Sequence, residues 1–236
     1  NSFFVQNCLR FYLEIYTLCV EYFNENTGGH LASLSELLSP FGGARLIEWF
    51  NDLTELWHDT TPIKPKDTSA PHGLTQWLHY KNFIIWHLEE GVRNEETADS
   101  KIVESQRHID AHNLKRMQII EQMDIWIDNV LSGAGIAPDD HAELNSETPG
   151  SIVDRLSILT LKIFHMYMHL QAPDLTDEQQ DALRVRLSVL EEQRDDVANA
   201  LDKLMLDLRQ AKKIHKVYRQ FKIYNDPSFP HEQYAK

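Results

Sequence analysis

Apolar residues in the central and C-terminal parts of this chain recur at helical spacing, and the same pattern is written twice. Adding 78 carries Leu74 to Ile152, Leu78 to Leu156, Phe83 to Leu161, Ile85 to Ile163, Trp86 to Phe164 and Leu88 to Met166. The same offset carries Ile109 to Leu187, Ile119 to Val197, Met123 to Leu201 and Ile127 to Met205. A few polar positions follow it, His87/His165, Asp99/Asp177, Arg116/Arg194 and Asp124/Asp202. Literal identity is low, so the apolar pattern carries the reading: a duplicated helical hairpin.

The predicted elements follow from breaks in that pattern. Leu74 to Glu90 and Thr97 to Leu131 form the first hairpin, turning at Gly91 to Glu96. Ser132 to Gly150, rich in Gly and Pro, is a loop, and Thr60 to Gly73 with its three prolines is another. The second hairpin runs from Ser151 to Leu170, turns at Ala172-Pro173-Asp174, and restarts at Thr176, whose pairing with Gln179 reads as a capping box. Its last helix is expected to reach about Arg219. No stretch alternates with period two, so no sheet is assigned. The expected fold is all-α: an up-down-up-down four-helix core of two long hairpins, with N-terminal helices at Ser33 to Leu38 and Ala44 to Asp59 packed alongside. Residues 1–59, 74–131 and 151–224 thus belong to one globular unit, with a C-terminal tail over 225–236.

Phe3 to Phe23 is apolar enough to suggest a membrane span, but Gln6, Asn7, Arg10, Glu14, Thr17 and Glu21 step by three or four and trace a polar stripe. A span or signal peptide lacks such a stripe, so a buried helix is expected, in the core or between two copies of the chain. Net charge of −13 excludes a general nucleic-acid binder, which needs a basic surface. Cys8 and Cys19 on one helix would lie roughly 16 Å apart at 1.5 Å per residue, too far to bridge, which favours a reducing cytoplasm.

In such a bundle the two short turns share one end, and the long loops, the entry at Ser151 and the last helix collect at the other. Folding the second hairpin about Pro173 places Asp154 and Arg155 level with Glu191 to Arg194, and the first hairpin's Arg116 and Asp124 toward the loop-rich end. Thr148-Pro149-Gly150-Ser151 opens a helix there: Thr148 caps, and the N–H groups near Gly150 and Ser151 suit a phosphate or carboxylate. Arg155, Lys162 and Arg194, with Arg219 and Lys222 from the basic C-terminal run, are the candidate anion ligands. Asp154 and His165 are the acid–base candidates. The opposing reading has Asp154 and Glu191 simply neutralising the arginines. Asn82, His87, Glu89, Asp110, Asn113, Arg116 and Asp124 have the composition of a buried polar network that sets helix register. His108/His112 and His165/His169 sit one turn apart, but twelve histidines give such spacings by chance. No metal and no cofactor is assigned.

The run Glu147-Thr148-Pro149-Gly150-Ser151-Ile152-Val153-Asp154-Arg155-Leu156-Ser157-Ile158-Leu159, with Lys162 and His165, resembles an uncharacterised bacterial family of helical proteins, a domain of unknown function. So do Asn82-x-x-x-Trp86-His87-x-Glu89, Asp110-x-x-Asn113-x-x-Arg116, Gln193-Arg194, and Tyr218-Arg219-Gln220-Phe221-Lys222-x-Tyr224-Asn225-Asp226. The resemblance covers about Leu74 to Pro227. Members often lie near genes for cell-envelope polysaccharide and glycosyltransferase work, which implies a cytoplasmic accessory role there. Two functions are therefore expected to compete. The first is a non-catalytic adaptor or regulator that binds a partner protein or a second copy of itself. The other is an enzyme or binding protein for a phosphorylated small molecule such as a nucleotide-sugar or sugar phosphate. With no catalytic signature in the chain, the adaptor ranks first.

Overall fold

The computed structural model describes residues 34–94 and 96–218. The helix expected over Phe3 to Phe23, both cysteines, and the candidates Arg219 and Lys222 lie outside the described residues. A short helix α1 (Leu34–Leu38) and a 3-10 turn (Ser39–Phe41) lead into α2 (Gly43–Asp59). The first hairpin is α3 (Pro71–Arg93) and α4 (Asp99–Gly133); the second is α5 (Pro149–Leu170) and α6 (Asp177–Arg209). The fold is all-α, a helical bundle.

Local chemistry fixes the ends. Pro71 and Pro149 occupy first-turn positions, where a missing N–H costs nothing. The predicted capping box at Thr176 and Gln179 is present, and Thr148 with Ser151 forms a second, each worth about 1 kcal/mol. The last helix stops at Arg209 rather than near Arg219. Ala211 turns into the left-handed region (φ 60°), and Lys212 N–H returns to the Asp207 carbonyl at 2.9 Å. The chain then runs on as β2 (Lys213–Ile214), which pairs in parallel with β1 (Glu143–Leu144). Two residues are too short to show alternation, so this small parallel pair is invisible in the sequence pattern.

Helix α5 is the hub, packed against α2, α3, α4 and α6, while α2 also lies on α6. Its sequence explains the position: Ile152, Val153, Leu156, Leu159, Leu161 and Ile163 cover more than one face and are all buried. The long helices give one stripe each to the core, Ile109, Ile119, Met123, Ile127 and Val130 on α4, and Leu187, Val197, Leu201, Met205 and Leu208 on α6. At the α2–α6 crossing the backbones nearly touch, since a Cβ on Gly43 would lie 2.6 Å from the Ala198 carbonyl oxygen. Gly43 N–H donates to Asp202 there at 2.8 Å.

The second hairpin closes in a different register from the one expected. The Tyr167 hydroxyl donates to Glu191 at 2.7 Å, so α6 overruns the turn and its first turns stand exposed beyond the end of α5. Arg194, three residues on, falls level with Phe164. Asp154 and Arg155 lie some nine residues away, roughly 14 Å along the axis. In the first hairpin Arg116 lies beside Asn82 at 3.3 Å, mid-helix rather than at the loop-rich end. Both shifts share one cause: α4 and α6 continue past their short partners instead of turning at the apparent hinge.

Candidate functional site

At the loop-rich end the start of α5 carries free N–H groups and a positive dipole end, and the protein supplies its own anion. Gly150 N–H donates to Asp124 Oδ1 at 2.8 Å, and a Cβ on Gly150 would meet that oxygen and the Ile120 carbonyl, each at 2.8 Å. Burial pushes the Asp124 carboxyl up to about 6, against the opposing pull of Thr148, Gly150 and His215. The C-terminal strand arrives at the same place: His215 Nε2 donates to the Asp124 carbonyl at 2.8 Å, and Lys213 pairs with Glu143 at 2.8 Å. The loops, the α5 start and the segment after α6 thus converge, as expected of that end.

The candidate anion ligands are distributed differently. Arg155 Nη1 donates to both Glu147 oxygens at 2.8 and 2.6 Å. Arg194 holds the neighbouring Asp195 at 2.8 Å, and the register shift separates it from Arg155. Lys162 is exposed on α5. Thr148 and Ser151 bond each other in the capping box.

The polar side chains buried between helices form a continuous seam through the bundle. Arg116 on α4 donates to Asn82 Oδ1 at 3.3 Å, and its Nε lies 3.7 Å from Asp154. Asn82 Nδ2 donates to Asp154 and to Ser157 Oγ, both at 3.0 Å. Ser157 Oγ meets His79 Nδ1 at 2.8 Å, and His79 Nε2 meets Thr54 Oγ1 at 2.9 Å. Thr54 gives its own proton to the Phe50 carbonyl at 2.7 Å. Its oxygen must therefore accept, so His79 is protonated on Nε2 and takes the Ser157 hydroxyl proton on Nδ1. Every hydrogen bond from Arg116 to Phe50 then points one way. His79 is fully buried between the rings of Phe50 and Trp57, at 4.6 and 5.5 Å, and burial lowers its pKa to about 3. Burial likewise raises the Asp154 carboxyl, while Arg116 and Asn82 pull it back.

Of the residues expected to form a polar network, Asn82 and Arg116 belong to this seam, joined by the acid–base candidate Asp154. Glu89 pairs instead with Arg93 at 3.1 Å along α3, Asp110 is exposed, Asn113 is half-buried, and Asp124 caps α5. His165 lies three helical turns beyond Asp154, with Nδ1 donating to the Leu161 carbonyl at 2.8 Å and its ring 5.3 Å from that of His87. His79, Ser157, Thr54 and His58 were missed. The available signal was a polar residue on an otherwise apolar helix face, and for His79 and Ser157 also the 78-residue offset that relates them.

A further group lies on the outer face of the first hairpin. Lys64 and Lys115 sit 4.5 and 4.4 Å from the Trp77 ring centre, and Lys81 approaches His112 at 3.4 Å. Burial depresses Lys81 and Lys115, and the neighbouring lysines add to the effect.

Residues 73–217 match the family described as "Protein of unknown function (DUF4254)". The chain belongs to this family. Among curated proteins and solved structures, none matches the chain. The DUF4254 region takes in both hairpins and the strand pair, so the seam's Asn82, Arg116, Asp154, Ser157 and His79 all fall within it, while Thr54 and His58 come from α2 outside it. Among the described residues no helix is long and apolar enough to cross a membrane.

Proposed function

We propose that this protein is a non-catalytic helical adaptor or regulator that docks a partner protein, working in the cytoplasm beside cell-envelope polysaccharide synthesis. The observation that supports this reading most is the Asp124 carboxylate at the start of α5. A helix start that is to hold a ligand's phosphate keeps its N–H groups open; here the chain's own carboxylate takes that place. Arg155 is matched by Glu147 and Arg194 by Asp195, so neither guanidinium reaches toward a shared guest. Nearby, the seam is a closed relay in which Asp154 and His79 face other protein groups, the arrangement of a register device. The recurrence of buried positions at one offset (Ile109/Leu187, Ile119/Val197, Met123/Leu201, Ile127/Met205) supports a duplicated hairpin as the scaffold. The overrunning first turns of α4 and α6, with Val103 and Val185 exposed, offer a surface for a partner.

One observation favours the second reading, a phosphorylated small-molecule ligand. Lys64 and Lys115 lie over the Trp77 ring and Lys81, over Tyr80, feels the charge of both; like charges so close gain from an anion between them. A thermal-shift screen with inorganic phosphate, sugar phosphates and nucleotide-sugars separates the two, run on the parent, Arg194→Ala and Lys81→Ala. The adaptor reading expects no saturable stabilisation by any of them. Stabilisation of the parent lost in Lys81→Ala would establish the second reading at the lysine group, and loss in Arg194→Ala would move it to α6.

A further inference from the structure

Near the short-turn end, opposite Asp124, three helices each present a histidine to the same point. His58 comes from the last turn of α2, His87 from α3 and His165 from α5. Their ring centres form a nearly equilateral triangle, 5.1 Å for His58–His87, 5.1 Å for His58–His165 and 5.3 Å for His87–His165. The planes are tilted to one another by 57°, 61° and 62°, as blades about an axis.

The tautomers are set by the helices themselves. Each Nδ1 lies against the carbonyl four residues back: His58 on Thr54 at 2.7 Å, His87 on Phe83 at 2.8 Å and His165 on Leu161 at 2.8 Å. A carbonyl oxygen only accepts, so all three Nδ1 atoms carry the proton and all three Nε2 atoms keep a lone pair. One ring nitrogen from each residue lies within 4.8 Å of the others, and Nε2 is the one left to coordinate. The Nε2 atoms of His58 and His165 are buried without a hydrogen-bond partner, and His165 as a whole is only 6% exposed. Lone pairs turned toward one another in a buried place are unfavourable unless a cation stands among them.

From this geometry we infer a binding site for a divalent transition-metal cation of the zinc class, held by the Nε2 atoms of His58, His87 and His165 with the Glu90 carboxylate as fourth ligand. Three imidazoles on one tetrahedral ion at Zn–N distances of about 2.0–2.1 Å have ring centres roughly 5 Å apart, the separation found here. Glu90 Oε1 stands 3.9 Å from His165 Nε2 and is oriented by the Trp86 indole N–H at 2.8 Å. The carbonyl bonds to Nδ1 are the outer shell that metal-bound histidines require. An aromatic ring lies against each imidazole, Phe164 at 4.4 Å from His58, Phe83 at 4.3 Å from His87 and Trp86 at 4.6 Å from His165. The site staples α2, which lies outside the family-matched region, to both hairpins, and it goes beyond the adaptor reading without depending on it.

The test uses the full chain, expressed without a polyhistidine tag, stripped with a chelator and titrated with zinc or cobalt(II). One ion per chain, the intense visible absorption of tetrahedral cobalt, and a raised thermal midpoint with zinc are expected. His58→Gln, His87→Gln and His165→Gln should each weaken zinc at least about 100-fold. Glu90→Gln, on a half-exposed side chain whose change leaves the core untouched, should weaken it about 10-fold and alter the cobalt spectrum. His108→Gln with His112→Gln should leave binding unchanged. Absence of stoichiometric binding would overturn the inference, as would any single histidine variant that keeps the parent's circular dichroism and binds zinc as tightly.

Discussion

Replacing His79 by Gln isolates the acid sensitivity that the seam builds into the fold. The imidazole is wholly buried, and its two nitrogens are committed to Thr54 and Ser157 in a fixed sense. A second proton on Nδ1 would face the Ser157 hydroxyl proton, on a ring with no exposed surface. Burial therefore holds the folded pKa at about 3, against 6.5 for an ordinary histidine. The sign follows from linkage: between these values the unfolded chain takes up a proton that the folded chain refuses, so stability falls as pH drops below 6.5. At pH 5 the loss from this residue is about 2 kcal/mol, at 1.36 kcal/mol per pH unit over 1.5 units. Asp124 works the other way, since its raised carboxyl makes the folded state the better proton acceptor between about 4 and 6. The parent's pH profile alone is thus a sum, and the variant is needed to separate it. Urea unfolding of parent and His79→Gln at pH 7 and pH 5 gives the double difference. The variant should be less stable at pH 7 by about 2–3 kcal/mol, from lost hydrogen bonds and ring packing. That deficit should shrink by about 2 kcal/mol at pH 5, because Gln does not titrate. An unchanged deficit at the two pH values would refute the depressed pKa of His79 and the closed environment behind it.

Three further substitutions probe the same framework, each read by urea or thermal unfolding. Gly150→Ala should cost about 1–3 kcal/mol, because the new Cβ would crowd Asp124 Oδ1 and the Ile120 carbonyl, both at 2.8 Å; a neutral result would mean that the α5 start is not closed as described. Arg155→Ala should cost less than about 1 kcal/mol, because its pair with Glu147 is exposed and screened, and a larger loss would give Arg155 a role beyond that pair. Arg116→Met should cost about 1–3 kcal/mol at pH 7 by leaving Asp154 without its cation, with the penalty shrinking as pH falls and Asp154, its carboxyl already raised by burial, takes a proton; a penalty independent of pH would contradict the pairing.

The bundle was legible in the sequence because apolar periodicity is a property of each helix alone. Leu74, Leu78, Leu156 and Ile163 could be assigned inward without knowing their neighbours, and Thr176 with Gln179 declares its own cap. Register between helices was not legible. It depends on where a long helix overruns a short one, and only the contact between Tyr167 and Glu191 reveals it for the second hairpin. That shift is what parts Arg194 from Arg155. The carboxylate that takes the α5 start was named in the sequence reading, but Asp124 is 26 residues from Gly150 and nothing local links them. The histidine triangle failed to show for the same reason. Its members come one from each of three helices, so no spacing within a helix betrays them: the metal-like pair His108/His112 lies outside the triangle, and His165 joins it without His169.

What most directly tests the closed loop-rich end is a phosphate titration followed at the backbone amides of Gly150 and Ser151 by nuclear magnetic resonance. With Asp124 seated on the helix start, both resonances should stay in place through millimolar inorganic phosphate and move when Asp124 is changed to Ala. A saturable shift in the parent chain would mean that the helix receives an outside anion, and the non-catalytic reading would lose its main support.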